Sequence, residues 1–123
     1  MKKVSFDFDA TLSRPIVQDY AKELISKGIE VWVCTSRFDN LHANNINWND
    51  DLFKVVDKVG IDRSNLIFTN YIDKWEVLKD FDFVWHLDDD WIELKLINKH
   101  TNIKAISVFG NSVWINKCNR FLK

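Results

Sequence analysis

The sequence predicts an α/β fold, a three-layer α/β/α sandwich built on a mainly parallel, five-stranded, Rossmann-like sheet. Strand and helix patterns alternate from one end of the chain to the other, which is typical of such sheets. The second predicted strand, at residues 29–34, is a nearly continuous apolar run, as expected for a strand that helices cover on both faces. With 123 residues, 3 glycines and 1 proline, the chain predicts one domain over residues 1–123 and no flexible linker.

The first half of the chain contains two strands and two helices. A short β-type run at residues 4–8, which ends in acids, precedes apolar residues at helical spacing between residues 16 and 25. Pro15 suits the first turn of that helix, while Gly28 and Gly60 stand where helices should end. The remaining elements of this half are a strand, a loop and a helix, at residues 29–34, 35–49 and 52–59.

The second half continues the alternation and ends in an amphipathic tail. Its strands are predicted at residues 66–69, 83–87 and 103–109, and its helices at residues 75–79 and 91–97. The tail carries large apolar residues on one helical face, namely Trp114, Ile115, Cys118, Phe121 and Leu122. Two interpretations of the tail stay open. It packs on the sheet as a last helix, or it forms a homodimer surface that places a neighbour over an open site.

Composition argues against several classes of partner and location. The 17 basic and 18 acidic residues give a net charge of −1, so no overall basic character favours nucleic acid. Two cysteines are too few for a disulfide framework, and the apolar run around Cys34 predicts a buried thiol. No signal peptide begins the sequence, and no segment approaches the roughly 20 apolar residues of a membrane span. We therefore expect a cytoplasmic protein that does not enter a membrane.

Polar residues follow the strands at the edge where parallel sheets bind ligands. Asp7 and Asp9 follow the first strand, Thr35 and Ser36 follow the second, and three acids at residues 88–90 follow the fourth. We expect four or five carboxylates to converge there. Crowded carboxylates repel one another, and a hard cation such as Mg²⁺ removes that penalty.

Two residues near this edge have simpler interpretations. Asp90 directly precedes a predicted helix and is expected to cap it instead of binding a metal. His86 lies inside an apolar strand and is expected to be a core histidine whose hydrogen bonds are satisfied. The whole acidic run could also serve only to start the helix at Trp91, although one Asp would be enough for that.

The segment Asp7-Phe8-Asp9-Ala10-Thr11 is the most specific motif in the chain. At this composition a DxDxT pattern is expected by chance about 5% of the time. With it, the sequence resembles the haloacid dehalogenase-like superfamily of phosphohydrolases. Three further motifs of that superfamily follow in order, at residues 31–37, around Lys74, and at residues 85–89. The first and fourth are specific, whereas the other two gain force only from their order and spacing.

The resemblance implies a role for each matched residue. Asp7 would be the nucleophile and form an aspartyl-phosphate, and Asp9 would act as general acid and base while its backbone carbonyl binds the metal. Thr35 would be catalytic, holding the phosphoryl group. Lys74 would neutralise charge on the nucleophile and phosphate, with Lys79 as a rival candidate.

The remaining implied roles concern the metal and the substrate. Asp88, helped by Asp89, would hold Mg²⁺ together with the first two acids of the DxDxT motif. Ser36 and Arg37 would join Thr35 in binding the phosphorylated substrate, and Thr11 would stabilise the turn after the first strand.

The sequence departs from many members of the superfamily in two ways. Ala10 stands where many of them have Gly, and its small side chain should fit. The short spacings leave no room for an inserted cap domain, so we expect a capless protein with an open site. The Asn-rich loop at residues 40–49, which contains His42 and Trp48, could contact a base or be an ordinary solvated loop.

These observations predict a Mg²⁺-dependent phosphomonoester hydrolase acting on a small phosphate ester, such as a nucleotide. Two alternatives remain. One is a phosphatase that processes polynucleotide ends, because the chain has 6 Trp and 9 Phe that could stack on bases. The other is a non-catalytic binding module with the same fold. A two-component receiver domain has its acids and lysine after different strands and does not fit.

Overall fold

A five-stranded sheet, parallel throughout, forms the centre of the computed structural model, which describes residues 1–123. The strands are β1 (Lys3–Phe6), β2 (Glu30–Thr35), β3 (Leu66–Phe68), β4 (Trp85–Asp88) and β5 (Lys104–Ser107). They lie in the order β3-β2-β1-β4-β5. This order makes β1 and β4, the two strands that end in acids, direct neighbours at the centre of the sheet. The predicted α/β fold is confirmed.

Five helices cover both faces of the sheet. They are α1 (Pro15–Ser26), α2 (Asp50–Val59), α3 (Lys74–Leu78), α4 (Trp91–His100) and α5 (Val113–Phe121). Helices α1, α2 and α5 pack with the sheet around the larger apolar core, whereas α3 and α4 cover a smaller core on the opposite face. None of the helices has the length and apolar character that crossing a bilayer would require.

The amphipathic tail packs into the larger core as α5. Trp114 and Cys118 are buried, and Trp114 meets Tyr20 of α1 edge to face with ring centroids 5.3 Å apart. The indole N–H of Trp85 donates a hydrogen bond of 3.1 Å to the Cys118 carbonyl. The prediction that the tail packs on the sheet is confirmed, while the homodimer surface stays a prediction.

A tight turn over Phe8–Leu12 joins β1 to α1, where the resemblance implied a turn, but the strand ends at Phe6 and not at Phe8 as predicted. The chain leaves the sheet at Asp7, and Ala10 adopts a left-handed conformation with φ 58°. The side-chain hydroxyl of Ser13 accepts a hydrogen bond from the Ala10 amide at 3.1 Å. An alanine in this region is strained, which explains why a glycine suits this position of the motif.

Candidate active site

Asp7 is the first residue beyond β1 and lies at the centre of the sheet edge. Its backbone N–H donates to the Leu87 carbonyl of β4 at 2.8 Å, which ties it to the neighbouring strand. The side chain is almost fully buried. Its Oδ1 accepts from Lys74 Nζ at 2.8 Å, and its Oδ2 accepts from the Thr11 hydroxyl at 3.1 Å. The Thr11 hydroxyl therefore links the turn after β1 to the Asp7 carboxylate.

Lys74 is the first residue of α3, and its buried ammonium group bridges two carboxylates. Nζ lies 2.8 Å from Asp7 Oδ1 and 2.5 Å from Asp88 Oδ2. Its backbone N–H donates to Glu93 Oε2 of α4 at 3.2 Å, so one helix positions the start of the other. The rival Lys79 instead lies over the ring of Trp75, 5.6 Å from its centroid. Lys74 is therefore the lysine of this site.

A buried chain of hydrogen bonds connects Ser5 of β1 to Asp88 through His86. His86 Nε2 lies 2.7 Å from Asp88 Oδ2, and His86 Nδ1 lies 2.5 Å from the Ser5 hydroxyl of β1. Because a carboxylate only accepts, we assign the proton to Nε2, which leaves Nδ1 to accept from Ser5. His86 is thus the satisfied core histidine that was predicted. Sequence reasoning missed its link to Asp88, although residues two apart on a strand face the same side.

Burial and mutual charge shift the pKa values of these groups in opposite directions. Burial, reinforced by the charge of Asp88, raises the pKa of Asp7 to about 8 against the opposing effect of Lys74. Burial also opposes ionisation of Asp88, but hydrogen bonds from His86 and Lys74 outweigh it and hold its pKa well below the usual range. Burial disfavours the charged form of Lys74, yet the two carboxylates raise its pKa above the ordinary value. Lys74 and Asp88 are therefore held in their charged forms, whereas burial favours the neutral form of Asp7.

Three carboxylates meet closely enough to hold a metal ion. One oxygen from each of Asp7, Asp88 and Asp89 lies within 4.8 Å of the others. All the donors are hard oxygen atoms, and burial next to the charge of Asp88 raises the pKa of Asp7, so a divalent cation would stabilise its ionised form. The donor set thus fits Mg²⁺.

The other two acids of this edge, Asp90 and Asp9, line the same cavity but do not belong to the group of three. The side chain of Asp90 caps α4, accepting from the N–H groups of Ile92 at 2.9 Å and Glu93 at 3.3 Å. The cap that was predicted for Asp90 is confirmed. The Asp9 side chain is 61% exposed and is paired with Arg37. The expected convergence of four or five carboxylates at this edge is confirmed, since all five line one cavity, but only three of them lie close enough together to share a metal ion.

Arg37 clamps two carboxylates and does not line the cavity that contains Asp7. Its guanidinium donates to both oxygens of Asp9, at 3.0 and 2.7 Å, and to both oxygens of Asp51, at 2.8 and 2.9 Å. It also lies over the Phe8 ring, 4.9 Å from the centroid. The pairing with Asp51 had no signal in the sequence, because the two residues are 14 positions apart across a loop.

The polar residues that follow β2 border the same cavity as Asp7. This cavity of about 220 Å³ is lined by Asp7, Asp9, Ala10, Thr35, Ser36, Lys74, Asp88, Asp89 and Asp90. Thr35 is buried, and its hydroxyl accepts from the Arg37 backbone N–H at 3.3 Å. Of the three residues predicted to bind substrate, Thr35 and Ser36 are at the cavity, whereas Arg37 lies beside it.

Comparison with known proteins supports the fold, whereas the chemistry has to be argued from the residues of the site. No protein-family model matches the chain, and no curated protein matches it in sequence. A solved structure from Vibrio cholerae, of a protein proposed to be a 3-deoxy-D-manno-octulosonate 8-phosphate phosphatase, matches with a TM-score of 0.54. The two chains are 14% identical, and the match covers 99% of this chain and 83% of the other. The chain shares the fold of that protein over nearly its whole length.

Proposed function

We propose that this protein is a Mg²⁺-dependent phosphomonoester hydrolase of the haloacid dehalogenase-like type, consisting of one capless domain. The observation that carries the proposal is the position of Asp7, buried between Lys74 and two further acids at the carboxyl edge of the sheet. Asp9 stands two residues further on at the same cavity. The shared fold adds support, because the Vibrio cholerae protein is itself named as a phosphatase of a small phosphate ester.

The chain's own residues supply a two-step reaction. A carboxylate oxygen of Asp7 attacks phosphorus, and the ester P–O bond breaks while the carboxyl group of Asp9 gives its proton to the leaving oxygen. The carboxylate of Asp9 then takes a proton from water, which attacks the phosphorus of the aspartyl-phosphate and breaks its P–O bond to Asp7. Inorganic phosphate leaves, and both carboxyl groups return to their starting state.

The surrounding groups bind and orient the reactants. Lys74 offsets the charge of Asp7, and Thr35 and Ser36 hold the phosphoryl oxygens. Asp7, Asp88 and Asp89 would hold the Mg²⁺ ion, with the Asp9 carbonyl as a further ligand. When bound, that ion reduces the repulsion between the Asp7 carboxylate and the phosphate.

Hydrolysis of p-nitrophenyl phosphate tests the proposal. We expect excess chelator to abolish turnover and added Mg²⁺ to restore it. Full activity in chelator would refute the metal assignment. No hydrolysis of p-nitrophenyl phosphate, nucleotides or sugar phosphates with Mg²⁺ would favour the non-catalytic binding module.

The Asp9→Asn variant tests the proton-transfer role with a substrate whose leaving group needs protonation. For a nucleoside monophosphate or sugar phosphate, we expect kcat to fall by roughly 10² to 10⁴-fold, the contribution typical of general acid–base catalysis. The loss should be smaller for p-nitrophenyl phosphate, because its leaving group departs as an anion. Equal losses on both substrates would argue against Asp9 as the proton donor.

A further inference from the structure

A second cavity borders the one that contains Asp7. Its volume is about 300 Å³, and it is lined by Asp9, Arg37, Trp48, Asp51 and Tyr71. Asp9 lines both cavities and therefore stands at their junction. Trp48, Asp51 and Tyr71 take no part in the two-step reaction.

The position of Asp9 indicates which part of the substrate lies in the second cavity. In the proposed reaction, Asp9 gives a proton to the oxygen that leaves phosphorus, so it must contact that oxygen. The phosphoryl group occupies the side of Asp9 that faces Asp7. The rest of the substrate then extends from the leaving oxygen into the second cavity.

The charges of the second cavity select against an anionic leaving group. Arg37 is its only cation, and its guanidinium is engaged by both oxygens of Asp9 and both oxygens of Asp51. Asn49, which is fully buried, accepts a further hydrogen bond from Arg37 at 3.3 Å. Asp9 holds the proton that it donates in the reaction, so Asp51 and the guanidinium offset each other and the cavity has no cation left to pair with an anionic leaving group. The Asp51 side chain is 63% exposed and can accept hydrogen bonds from hydroxyl groups.

Two aromatic side chains give this cavity flat, exposed walls. Trp48 is 46% exposed and Tyr71 is 64% exposed, whereas most of the large apolar side chains of the protein are at least partly buried. Tyr71 and the preceding Asn70 both adopt left-handed conformations, with φ 67° and 53°. Their N–H groups donate to the carbonyls of Ser36 at 2.8 Å and Arg37 at 3.2 Å. The fold thus holds a strained segment in place to present Tyr71, a feature typical of functional sites.

From these observations we propose that the second cavity binds the leaving group, and that this group is a neutral ring bearing hydroxyls. A nucleoside and a sugar both have this chemistry. The ring packs against Trp48 and Tyr71, and its hydroxyls donate to Asp51. A second phosphate on the leaving group is disfavoured, because Asp51 engages the one cation that could bind it. This inference rests on the proposed function.

The test compares substrates with and without a ring. Wild-type protein and the Trp48→Ala and Tyr71→Ala variants are assayed with Mg²⁺ on nucleoside 5′-monophosphates, hexose phosphates and the ring-free acetyl phosphate. We expect each variant to lower kcat/KM at least tenfold more on the preferred ring substrates than on acetyl phosphate, mainly through KM. Trp48→Phe and Tyr71→Phe keep a ring and should retain most of the activity. Trp91→Ala removes an exposed tryptophan outside the cavity and should change neither rate.

A charge variant tests the selection against anions. Asp51→Asn should raise the rate on glucose 1,6-bisphosphate relative to glucose 6-phosphate by at least threefold. An unchanged ratio would refute the role of Asp51.

The outcomes separate this inference from the proposed function. Faster turnover of nucleotides would identify the leaving group as a nucleoside, and faster turnover of hexose phosphates would identify it as a sugar. Equal losses on ring and ring-free substrates would overturn the leaving-group site while leaving the phosphatase intact. A wild-type protein that hydrolyses none of these esters would overturn both.

Discussion

Strands β1 and β4 contribute to two buried regions, the larger apolar core and the acidic edge around Asp7 and Asp88. They contribute apolar residues to the first and carboxylates to the second. Phe6 and Trp85 lie in the larger core, where their rings meet edge to face with centroids 5.3 Å apart. Asp7 follows Phe6 directly, and Asp88 ends the strand that Trp85 begins. Within a few residues, each strand passes from aromatic packing to a buried carboxylate.

The difference indicates what each region contributes. Burial of aromatic rings stabilises the fold through area removed from water and through ring contacts. Buried ion pairs stabilise little or nothing, because desolvation offsets their attraction. The edge keeps its carboxylates at a cost in stability, which points to chemistry. Substitutions should therefore separate the two regions, with activity lost at the edge and stability lost in the core.

The largest effect is expected from Asp7→Asn. The neutral amide cannot attack phosphorus, so turnover of p-nitrophenyl phosphate should fall by roughly 10⁴-fold or more, as for other nucleophile deletions. The melting temperature should stay the same or rise, because one of the crowded carboxylates is removed. Turnover near the wild-type rate would reject the covalent mechanism. A large loss of melting temperature would instead make Asp7 a structural residue.

In the core, Trp114→Ala should show the opposite behaviour. Removing this buried ring leaves a cavity and should lower the free energy of unfolding by about 3–5 kcal/mol, measured by urea denaturation. The matched control is Trp91→Ala, which removes a ring that is 70% exposed and should change stability by less than about 0.5 kcal/mol. Similar losses from both variants would contradict the packing of α5 against the sheet.

Asp88 and Asp90 sharpen the comparison within the acidic edge itself. Asp90→Ala removes the cap of α4 and should lower the free energy of unfolding by about 1 kcal/mol, whereas Asp90→Asn should retain the cap.

Asp88→Asn should raise the Mg²⁺ concentration required for activity more than Asp90→Asn does. The reverse ranking in a Mg²⁺ titration would mean that Asp90, and not Asp88, holds the metal.

The smallest effect is expected at the turn between the two regions. Ala10→Gly relieves a left-handed conformation that costs roughly 1–2 kcal/mol for an L-residue. The greater freedom of glycine in the unfolded chain offsets about 0.4–1 kcal/mol of that gain. We expect a net rise in unfolding free energy of about 0.5 kcal/mol by thermal or urea denaturation. A loss above about 1 kcal/mol would show that the turn is not strained at Ala10.

Local pattern predicted the elements better than it predicted side-chain partners. Pro15 begins α1, and Gly28 and Gly60 follow the ends of α1 and α2 with positive φ, because these residues act through their own backbone. The end of β1 was predicted two residues too late, because Phe8 continues the apolar character of the strand. Hydrophobic pattern reports burial, and it does not report the point where the backbone leaves a sheet.

The sequence by itself determined that acids follow the first and fourth strands of a parallel sheet, since the apolar periodicity and the Asp-rich strand ends are both local. Only the tertiary structure decided that these strands are neighbours, which brings Asp7 beside Asp88 and puts Lys74 between them. It also decided that Arg37 pairs with Asp9 and Asp51 instead of lining the cavity that contains Asp7. The reason is that strand order and loop paths are set by the packing of the whole core, whereas the residues that they bring together are far apart in the chain.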